Sequence, residues 1–322
     1  MRILAIGDPE GKIRYNEVKL LAERYLKEGD YIIFLGDYFS SPYTEYFRYL
    51  KGIAFPERSI FKDLNKKYKI ILVYGNKDVK SSVFNLDKKK KDYNIFSIED
   101  YFGELEIDNF KFVFINGSNL VNFTGRIGAK ISREIDNLKK KYNKVRLVDL
   151  PSEAHEYLEK KYGTFYRIFV KYTYATSFSF LENYKNKKYD FLLTHTPPFL
   201  EGAELISGEY PDIAIYKEDG FGGIQPASPR DKDAKRSHVG HKKIREFIEN
   251  NKVKIIICGH IHEGSGIAIY KNTLVLNPGS KAVYFMKNKV LPYIVLEFDE
   301  DLKNIRYIHR DIFNLKEGEI NL

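Results

Sequence analysis

The sequence has a single cysteine, Cys258, and no tryptophan among its 322 residues. One cysteine excludes an internal disulfide and a cysteine-based zinc cluster. Because Cys258 ends an apolar run, we expect a buried core residue and not a nucleophile. No apolar run approaches the roughly 20 residues that span a bilayer. The start MRILAIGDPEG becomes polar too soon for a signal peptide, so we expect a cytoplasmic protein without a membrane segment.

Acidic residues are outnumbered by basic ones, and the formal net charge is +9 with an isoelectric point near 9.1. Such a charge attracts anionic partners, including nucleotides and nucleic acid. The lysines are scattered along the chain, however, with one dense block at Lys88–Lys91. We expect most of them to form solvated surface. Nucleic acid stays an open partner, although no nucleic-acid-binding motif is recognisable.

The stretch from Lys252 to His262 carries the strongest local signal. Its apolar core up to Cys258 predicts a strand that is buried on both faces of a sheet. The run breaks at Gly259 and presents His260 and His262, at the strand end where open α/β sheets place their ligands. Neutral imidazole is a common metal ligand. The alternative is that one histidine caps a turn and the other is solvated.

Three predicted strands near the start of the chain end in the same way, with an apolar run, a glycine and then an oxygen ligand. They are Arg2–Ile6, Tyr31–Leu35 and Ile70–Tyr74. A single Asp after a strand serves equally well as the N-cap of a helix. Three such ends in succession favour one shared site at the edge of a sheet. The oxygen ligands they supply are Asp8, Glu10, Asp37 and Asn76.

A further strand, near Phe191–Leu193, ends in a run that contains His195 and two prolines. With it, the candidate ligands combine oxygen and nitrogen donors, which suits borderline divalent metals. They are too many for one ion and suit two ions about 3.5–4 Å apart, bridged by a carboxylate. The set is Asp8, Glu10, Asp37, Asn76, His195, His260 and His262.

The chain is predicted to be a single domain, 1–322, with two insertions. Segment 119–188 is expected to be a mainly helical insertion, with Ser152 as the N-cap of its longer helix. It would form a cap over a substrate pocket, a homodimer contact, or both. Segment 200–237 is rich in glycine, proline and charge without clear periodicity, so we expect a long loop near the site.

Taken together, five ordered motifs resemble those of the calcineurin-like metallophosphoesterases. The resemblance covers roughly 1–118 and 190–300, and the two insertions lie outside it. The motifs are Asp8-Pro9-Glu10, Gly36-Asp37, Gly75-Asn76-Lys77-Asp78, Thr194-His195 and Gly259-His260-Ile261-His262.

The resemblance implies an α/β fold, an α/β/β/α sandwich of two mixed sheets. It implies that Asp37 bridges two metal ions. Asp8 and His262 would hold the first ion, and Asn76, His195 and His260 the second. The reaction it implies is the attack of a hydroxide that bridges the metals on the phosphorus of a phosphate ester.

Two positions depart from the family pattern. Glu10 stands where the family has a metal-binding histidine, and its added negative charge favours harder ions such as Mn or Mg over Zn. Lys77 stands where the family has a catalytic histidine. A lysine can still contact the phosphate and neutralise charge, but it is a poor proton donor at neutral pH. Lys77 and Asp78 are the candidate catalytic residues, and the alternative is that they pair with each other.

These observations predict a metal-dependent phosphoesterase that hydrolyses a phosphate mono- or diester. We expect two divalent ions, with Mn first and Fe, Ni, Co, Zn or Mg as alternatives. Because Glu10 and Lys77 depart from the pattern, a second hypothesis is a scaffold or binding module that keeps the metals and has lost the reaction. A nuclease is a third hypothesis, favoured mildly by the positive charge.

Overall fold

The computed structural model describes the greater part of the chain, in the following ranges of residues. They are 1–8, 15–37, 63–75, 94–97, 102–116, 125–144, 150–163, 166, 178–218, 224–227, 232–280, 290–311 and 313–322.

Strands dominate the described structure. In chain order they are β1 Arg2–Ile6, β2 Tyr31–Phe34, β3 Lys69–Leu72, β4 Ile95–Ser97, β5 Phe102–Ile107, β6 Phe110–Ile115, β7 Lys188–Thr194, β8 Glu204–Gly208, β9 Ile213–Glu218, β10 Ile224–Pro226, β11 Lys235–His238, β12 Lys252–Cys258, β13 Gly266–Tyr270, β14 Thr273–Asn277, β15 Tyr293–Phe298, β16 Asn304–Arg310 and β17 Leu315–Asn321. The helices are α1 Tyr15–Tyr25, α2 Gly125–Lys141, α3 Ser152–Tyr162 and α4 Lys242–Asn250, with a 3₁₀ helix at Ser179–Asn183.

Two seven-stranded sheets organise the fold. The first sheet has the order β17-β16-β15-β1-β2-β3-β4, and the second has the order β5-β6-β7-β12-β14-β13-β8. Both are mixed. In the first sheet β1 to β4 run parallel, and in the second sheet β6, β7, β12 and β14 do. Parallel neighbours end at the same edge, so the residues that follow them are brought together.

The main core fills the space between the two sheets. Side chains alternate across each strand, so Ile3 and Ala5 of β1 face this core while Leu4 faces the other way. From the second sheet, Phe112 and Phe191 stack in it with ring centroids 4.8 Å apart. Both faces of the central strands are therefore buried, which explains their unbroken apolar sequences.

Helices cover the outer faces of the two sheets. Helix α1 packs Val18 and Ala22 on the outer face of the first sheet. Helix α4 packs Ile244 and Phe247 on the outer face of the second sheet. The layers are therefore helix, sheet, sheet and helix, and the predicted α/β/β/α sandwich is confirmed.

The segment predicted as a helical insertion contains α2, α3 and the 3₁₀ helix. Helices α2 and α3 share a small apolar cluster of their own, centred on Ile131, Ile135 and Leu158. The expected N-cap at Ser152 is wrong, because Pro151 occupies that position in an extended conformation without a side-chain cap bond. The bounds of the insertion, and its role as a cap or dimer contact, stay predictions.

The segment 200–237 was expected to be a long loop, and that expectation is wrong for its described residues. Strand β8 pairs with β13 at the edge of the second sheet. Strands β9, β10 and β11 form a separate three-stranded sheet. The buried side chains of Ile213 and Ile215 alternate along β9. The alternation is too short to stand out among the charged and glycine-rich neighbours.

Cys258 is fully buried and its thiol donates to the carbonyl of Leu276 at 3.3 Å. Burial raises the pKa of this thiol well above its usual value, which keeps it unreactive. Its prediction as a core residue is confirmed. None of the described helices is long and apolar enough to cross a membrane.

Candidate metal centre

Four strand ends, two from each sheet, meet at one edge of the sandwich. Asp8 follows β1, Asp37 follows β2 and His195 follows β7. These three residues are at most 1% exposed. His260 and His262 follow β12 and are partly exposed. The five ligand candidates in the described part of the chain are thus brought together.

The chain must turn sharply as soon as each strand ends. Asp37 and His260 do so with φ of 51° and 67°, in the left-handed region. Gly36 precedes the first of them with φ of 92°, and a Cβ there would lie 2.5 Å from the backbone nitrogen of Gly75. A larger residue at position 36 would therefore push neighbouring strand ends apart. This close approach explains why a glycine stands before the ligand.

One group of donors lies between the two sheets. Asp37, His195 and His260 each place a ligand atom within 4.8 Å of the others. His195 Nε2 is 3.6 Å from an oxygen of Asp37. The other ring nitrogen of His195, Nδ1, lies 2.6 Å from the carbonyl of Leu35. Because a carbonyl only accepts, Nδ1 carries the proton and Nε2 presents its lone pair to the site.

The second group is centred on the carboxylate of Asp8. Its Oδ2 lies 3.0 Å from His262 Nε2, and its Oδ1 accepts from the backbone N–H of His260 at 3.2 Å. Burial by itself would raise the pKa of Asp8, but its electrostatic interactions with His195 and His262 outweigh burial and hold the pKa well below the usual range. Asp8 is therefore an anion at neutral pH.

The residues present fit divalent ions. Asp8 Oδ2 is buried and has no aligned hydrogen-bond donor within the described residues. A buried carboxylate oxygen of this kind is suited to bind a cation. The donors mix carboxylate oxygens and imidazole nitrogens. One ion about 2.0–2.2 Å from each donor requires the donors to lie about 3–4 Å apart. The ligand atoms of Asp37, His195 and His260, which lie within 4.8 Å of one another, would therefore move only slightly to bind one ion.

Four predicted site residues fall outside the described part of the chain. They are Glu10, Asn76, Lys77 and Asp78. The last described residue before Asn76 is Gly75, where a Cβ would lie 2.2 Å from Asp37 Oδ1. The chain thus runs past Asp37 immediately before Asn76. Ligation by Glu10 and Asn76 and catalysis by Lys77 and Asp78 stay predictions.

Sequence reasoning missed a residue that holds the site loops. The amide of Asn277 donates to the carbonyls of Ile261 and Pro211, both at 2.9 Å, and its oxygen accepts from Gly279. It thereby ties the loop between His260 and His262 to a segment some 50 residues earlier in the chain. In the sequence, Asn277 begins the run Asn-Pro-Gly-Ser, which is typical of a turn and gives no sign of these long-range bonds.

A pair formed by buried Asp212 and partly exposed His238 was also missed by sequence reasoning. His238 Nδ1 lies 2.8 Å from Asp212 Oδ1, and the carboxylate is fully buried. Their separation of 26 residues follows no local pattern. The available sequence signal was a histidine shortly before a predicted helix.

Comparisons with known proteins identify a family. The family model for calcineurin-like phosphoesterases matches residues 1–264. An uncharacterised protein of Methanocaldococcus jannaschii is 25% identical over 307 residues, which cover 92% of this chain and 96% of the relative.

Solved structures with a similar arrangement include three proteins. Wild-type Vps29 of Entamoeba histolytica, complexed with zinc, is 12% identical with a TM-score of 0.37, covering 100% of this chain and 99% of that one. An archaeal phosphodiesterase is 13% identical with a TM-score of 0.36, covering 96% and 100%. The phosphopantetheinyl hydrolase of Mycobacterium tuberculosis is 15% identical with a TM-score of 0.37, covering 86% and 88%. Sequence identities and TM-scores this low support no conclusion about the chemistry of this chain. The family model, however, spans most of the sequence, and the chain belongs to the calcineurin-like phosphoesterase family.

Proposed function

We propose that this protein is a metal-dependent phosphoesterase that hydrolyses a phosphate mono- or diester. The observation that carries the proposal is the group formed by Asp37, His195 and His260, whose ligand atoms lie within 4.8 Å of one another. Asp8 and His262 form a second group beside it. A scaffold without metal would have no use for so many buried donors at one edge of the fold.

Two ions are proposed because the donors fall into two groups, and the family resemblance implies that Asp37 would be the ligand shared by both. Divalent ions held there would act as Lewis acids on the phosphate oxygens and lower the pKa of a bound water. We propose Mn first, because a carboxylate at position 10 adds negative charge. The alternatives are Fe, Ni, Co, Zn and Mg.

The residues of the chain prepare the site for such ions. The bond from His195 to the carbonyl of Leu35 fixes the ring and its tautomer before any ion binds. The low pKa of Asp8 keeps its carboxylate charged without a metal. The N–H of His260 holds that carboxylate in place. Little reorganisation is therefore needed when the site is loaded. Lys77 is proposed as a phosphate contact, with Asp78 beside it.

The second candidate is a binding module that keeps metal and no longer cleaves esters. The observation that favours it is Lys77, a poor proton donor where the family has a histidine. A nuclease, the third candidate, is favoured by the net charge of +9. Cleavage of a nucleic acid by a preparation that cleaves simple diesters would support the nuclease.

The test is hydrolysis of bis-p-nitrophenyl phosphate and p-nitrophenyl phosphate by metal-free protein resupplied with Mn. We expect turnover that requires the ion, and loss of turnover in Asp37→Asn. The matched control is Asp301→Asn, an exposed carboxylate in the turn between β15 and β16, which should keep full activity. The preferred ester decides between monoester and diester chemistry.

Thermal unfolding with and without Mn separates the first two candidates. A ligand at 100 times its dissociation constant stabilises the folded state by about 2.7 kcal/mol. A shift that is lost in Asp37→Asn, without turnover of either ester by the parent protein, would favour the binding module. No shift with any of the ions named above would contradict both.

A further inference from the structure

The pair of Asp212 and His238 has the geometry of an oriented proton donor. Asp212 is buried, and both of its oxygens are engaged. Oδ1 accepts from His238 Nδ1 at 2.8 Å, and Oδ2 accepts from the backbone N–H of Leu200 at 2.9 Å. Burial raises the pKa of Asp212, although the bonds from His238 and Leu200 oppose the rise. A more basic carboxylate is a stronger acceptor for Nδ1–H.

The ring of His238 contacts two aromatic rings. Its centroid lies 5.9 Å from that of Phe199 and 5.3 Å from that of Tyr210, both in edge-to-face contact. The side chain is 24% exposed. Within the described residues, Nδ1 has its bond to Asp212 and Nε2 has no protein partner. The ring is therefore fixed by its buried edge, and Nε2 is the nitrogen free to meet a ligand.

The pair is connected to both loops that carry histidines of the candidate metal centre. Phe199 and Leu200, which contact the pair, follow His195 by four and five residues. On the other side, Pro211 precedes Asp212 and is bound through Asn277 to the carbonyl of Ile261, between His260 and His262. The loop after His195 thus contacts the pair directly, and the loop of His260 and His262 is linked to it through Asn277 and Pro211.

An imidazole whose Nδ1–H is held by a buried carboxylate is well suited to proton transfer at Nε2. The proposed reaction requires a proton donor for the leaving oxygen, and Lys77, a poor proton donor, stands where the family has a catalytic histidine. We propose that His238, positioned by Asp212, gives the proton that the leaving oxygen takes up when the ester is cleaved. This inference rests on the proposed phosphoesterase function.

The step balances without any further reactant. The oxygen of water forms the new bond to phosphorus, and the bond from phosphorus to the ester oxygen breaks. That oxygen keeps the electron pair and takes the proton from Nε2 of His238. The neutral imidazole regains a proton from solvent, which receives the one released by the attacking water. The sum is ester plus water giving phosphate plus alcohol.

The test compares leaving groups that differ in their need for a proton. Mn-loaded protein is assayed on p-nitrophenyl and phenyl esters, as mono- or diesters according to the preference of the parent protein. Nitrophenolate departs unaided, whereas phenolate is a stronger base. We expect His238→Gln to lower kcat for the phenyl ester about 100-fold, a typical loss for a general acid, with KM nearly unchanged. The nitrophenyl ester should lose less than about threefold.

Asp212→Asn should show the same selectivity with a smaller loss, because it disturbs the orientation of the ring and not its presence. His155→Gln is the matched control. His155 is also a partly buried histidine with Nδ1 bonded to one side chain, the hydroxyl of Tyr166, and it lies in α3. It should leave both esters unaffected. Thermal unfolding of each variant checks that the fold is kept.

Three other results would overturn the inference. Equal losses on the two esters would give His238 a structural or binding role, as would a large rise in KM with kcat unchanged. Full activity of His238→Gln on the phenyl ester would remove it from the reaction. In all these cases the phosphoesterase proposal stands. If the parent protein cleaves neither ester with any of the named ions, both proposals fail together.

Discussion

The two sheets bring different chemistry to the metal centre. The first sheet supplies carboxylates, Asp8 after β1 and Asp37 after β2. The second sheet supplies imidazoles, His195 after β7 and His260 with His262 after β12. Neither sheet holds a mixed set among its described residues. The site therefore exists only where the two edges face each other.

The contacts across that boundary show why the two halves depend on each other. His195 bonds to Leu35 across 160 residues of sequence, and His260 to Asp8 across 252. Two buried carboxylates by themselves would repel and take up protons. The imidazoles of the opposite sheet keep Asp8 ionised instead. The carboxylates of the first sheet and the imidazoles of the second sheet are thus electrostatically complementary.

The largest effect is expected from removal of one ligand in each sheet. Asp8→Asn and His195→Gln should each lower kcat/KM with Mn about 10²–10³-fold, the loss typical of a single charge-stabilising group. The double variant should be no worse than the poorer single variant, since the halves act as one unit. Hydrolysis of bis-p-nitrophenyl phosphate measures this. Losses that multiply would mean that the two sheets contribute independently.

The second largest effect is expected from a substitution that crowds Asp37, the ligand candidate that follows β2 of the first sheet. In Gly75→Ala the new Cβ would lie 2.2 Å from Asp37 Oδ1, so the carboxylate must move. A displacement near 1 Å costs about 100-fold in rate. We expect such a loss in kcat/KM together with weaker Mn binding by calorimetry.

Gly202→Ala provides the control for that substitution. It places an alanine at φ of 85° in a turn where no atom lies within 4 Å of the added Cβ. It should cost stability without changing the affinity for Mn. Equal affinities of the Gly75→Ala variant and the parent protein would contradict the crowding argument.

Acid should weaken the contact between the two sheets at His309. His309 of β16 is buried and bonds to Ser207 of β8 at 3.0 Å and to Ser265 at 3.1 Å. Burial lowers its pKa from 6.5 to about 4. Between these values the unfolded chain binds a proton that the folded chain does not, so stability falls as pH drops from about 6.5 towards 4.

The contribution of His309 to that loss is up to about 3 kcal/mol. His241 at the start of α4, whose pKa burial also lowers to about 4, adds to it. Metal-free thermal unfolding at pH 7.5 and pH 5 measures the effect. The difference should shrink in His309→Gln, and an unchanged difference would show that other groups carry the acid sensitivity.

The smallest effect is expected from Asn277→Ala, which affects only loops beside the second sheet. It removes the bonds to Pro211 and Ile261 and leaves buried carbonyls unpaired, at a cost of about 1–3 kcal/mol. The melting temperature should fall by several degrees. Asn304→Ala, whose amide bonds only an exposed carboxylate of Asp299, should change it by less than a degree or two.

Sequence reasoning recovered the parts of the fold that local chemistry specifies. The β1, β2 and β12 strands lie within about two residues of their expected positions, because apolar runs bounded by glycine have few alternative structures. Strand β7 was also predicted, but it begins three residues before its expected start. Strand β8 and the three-stranded sheet were missed, because their patterns are short and set among charged residues. The N-cap of α3 was misplaced by one residue, since Pro151 and Ser152 both suit a helix start.

The sequence by itself determined which residues could bind metal and at which strand ends they stand. It did so because strand periodicity, glycine and ligand type are all local properties. Only the tertiary structure decided which donors meet, since the bonds between Asp8 and His260 and between His195 and Leu35 join residues far apart in the chain. It also brought Asp212 to His238. Contacts of that range depend on how two sheets pack, and no local pattern records that packing.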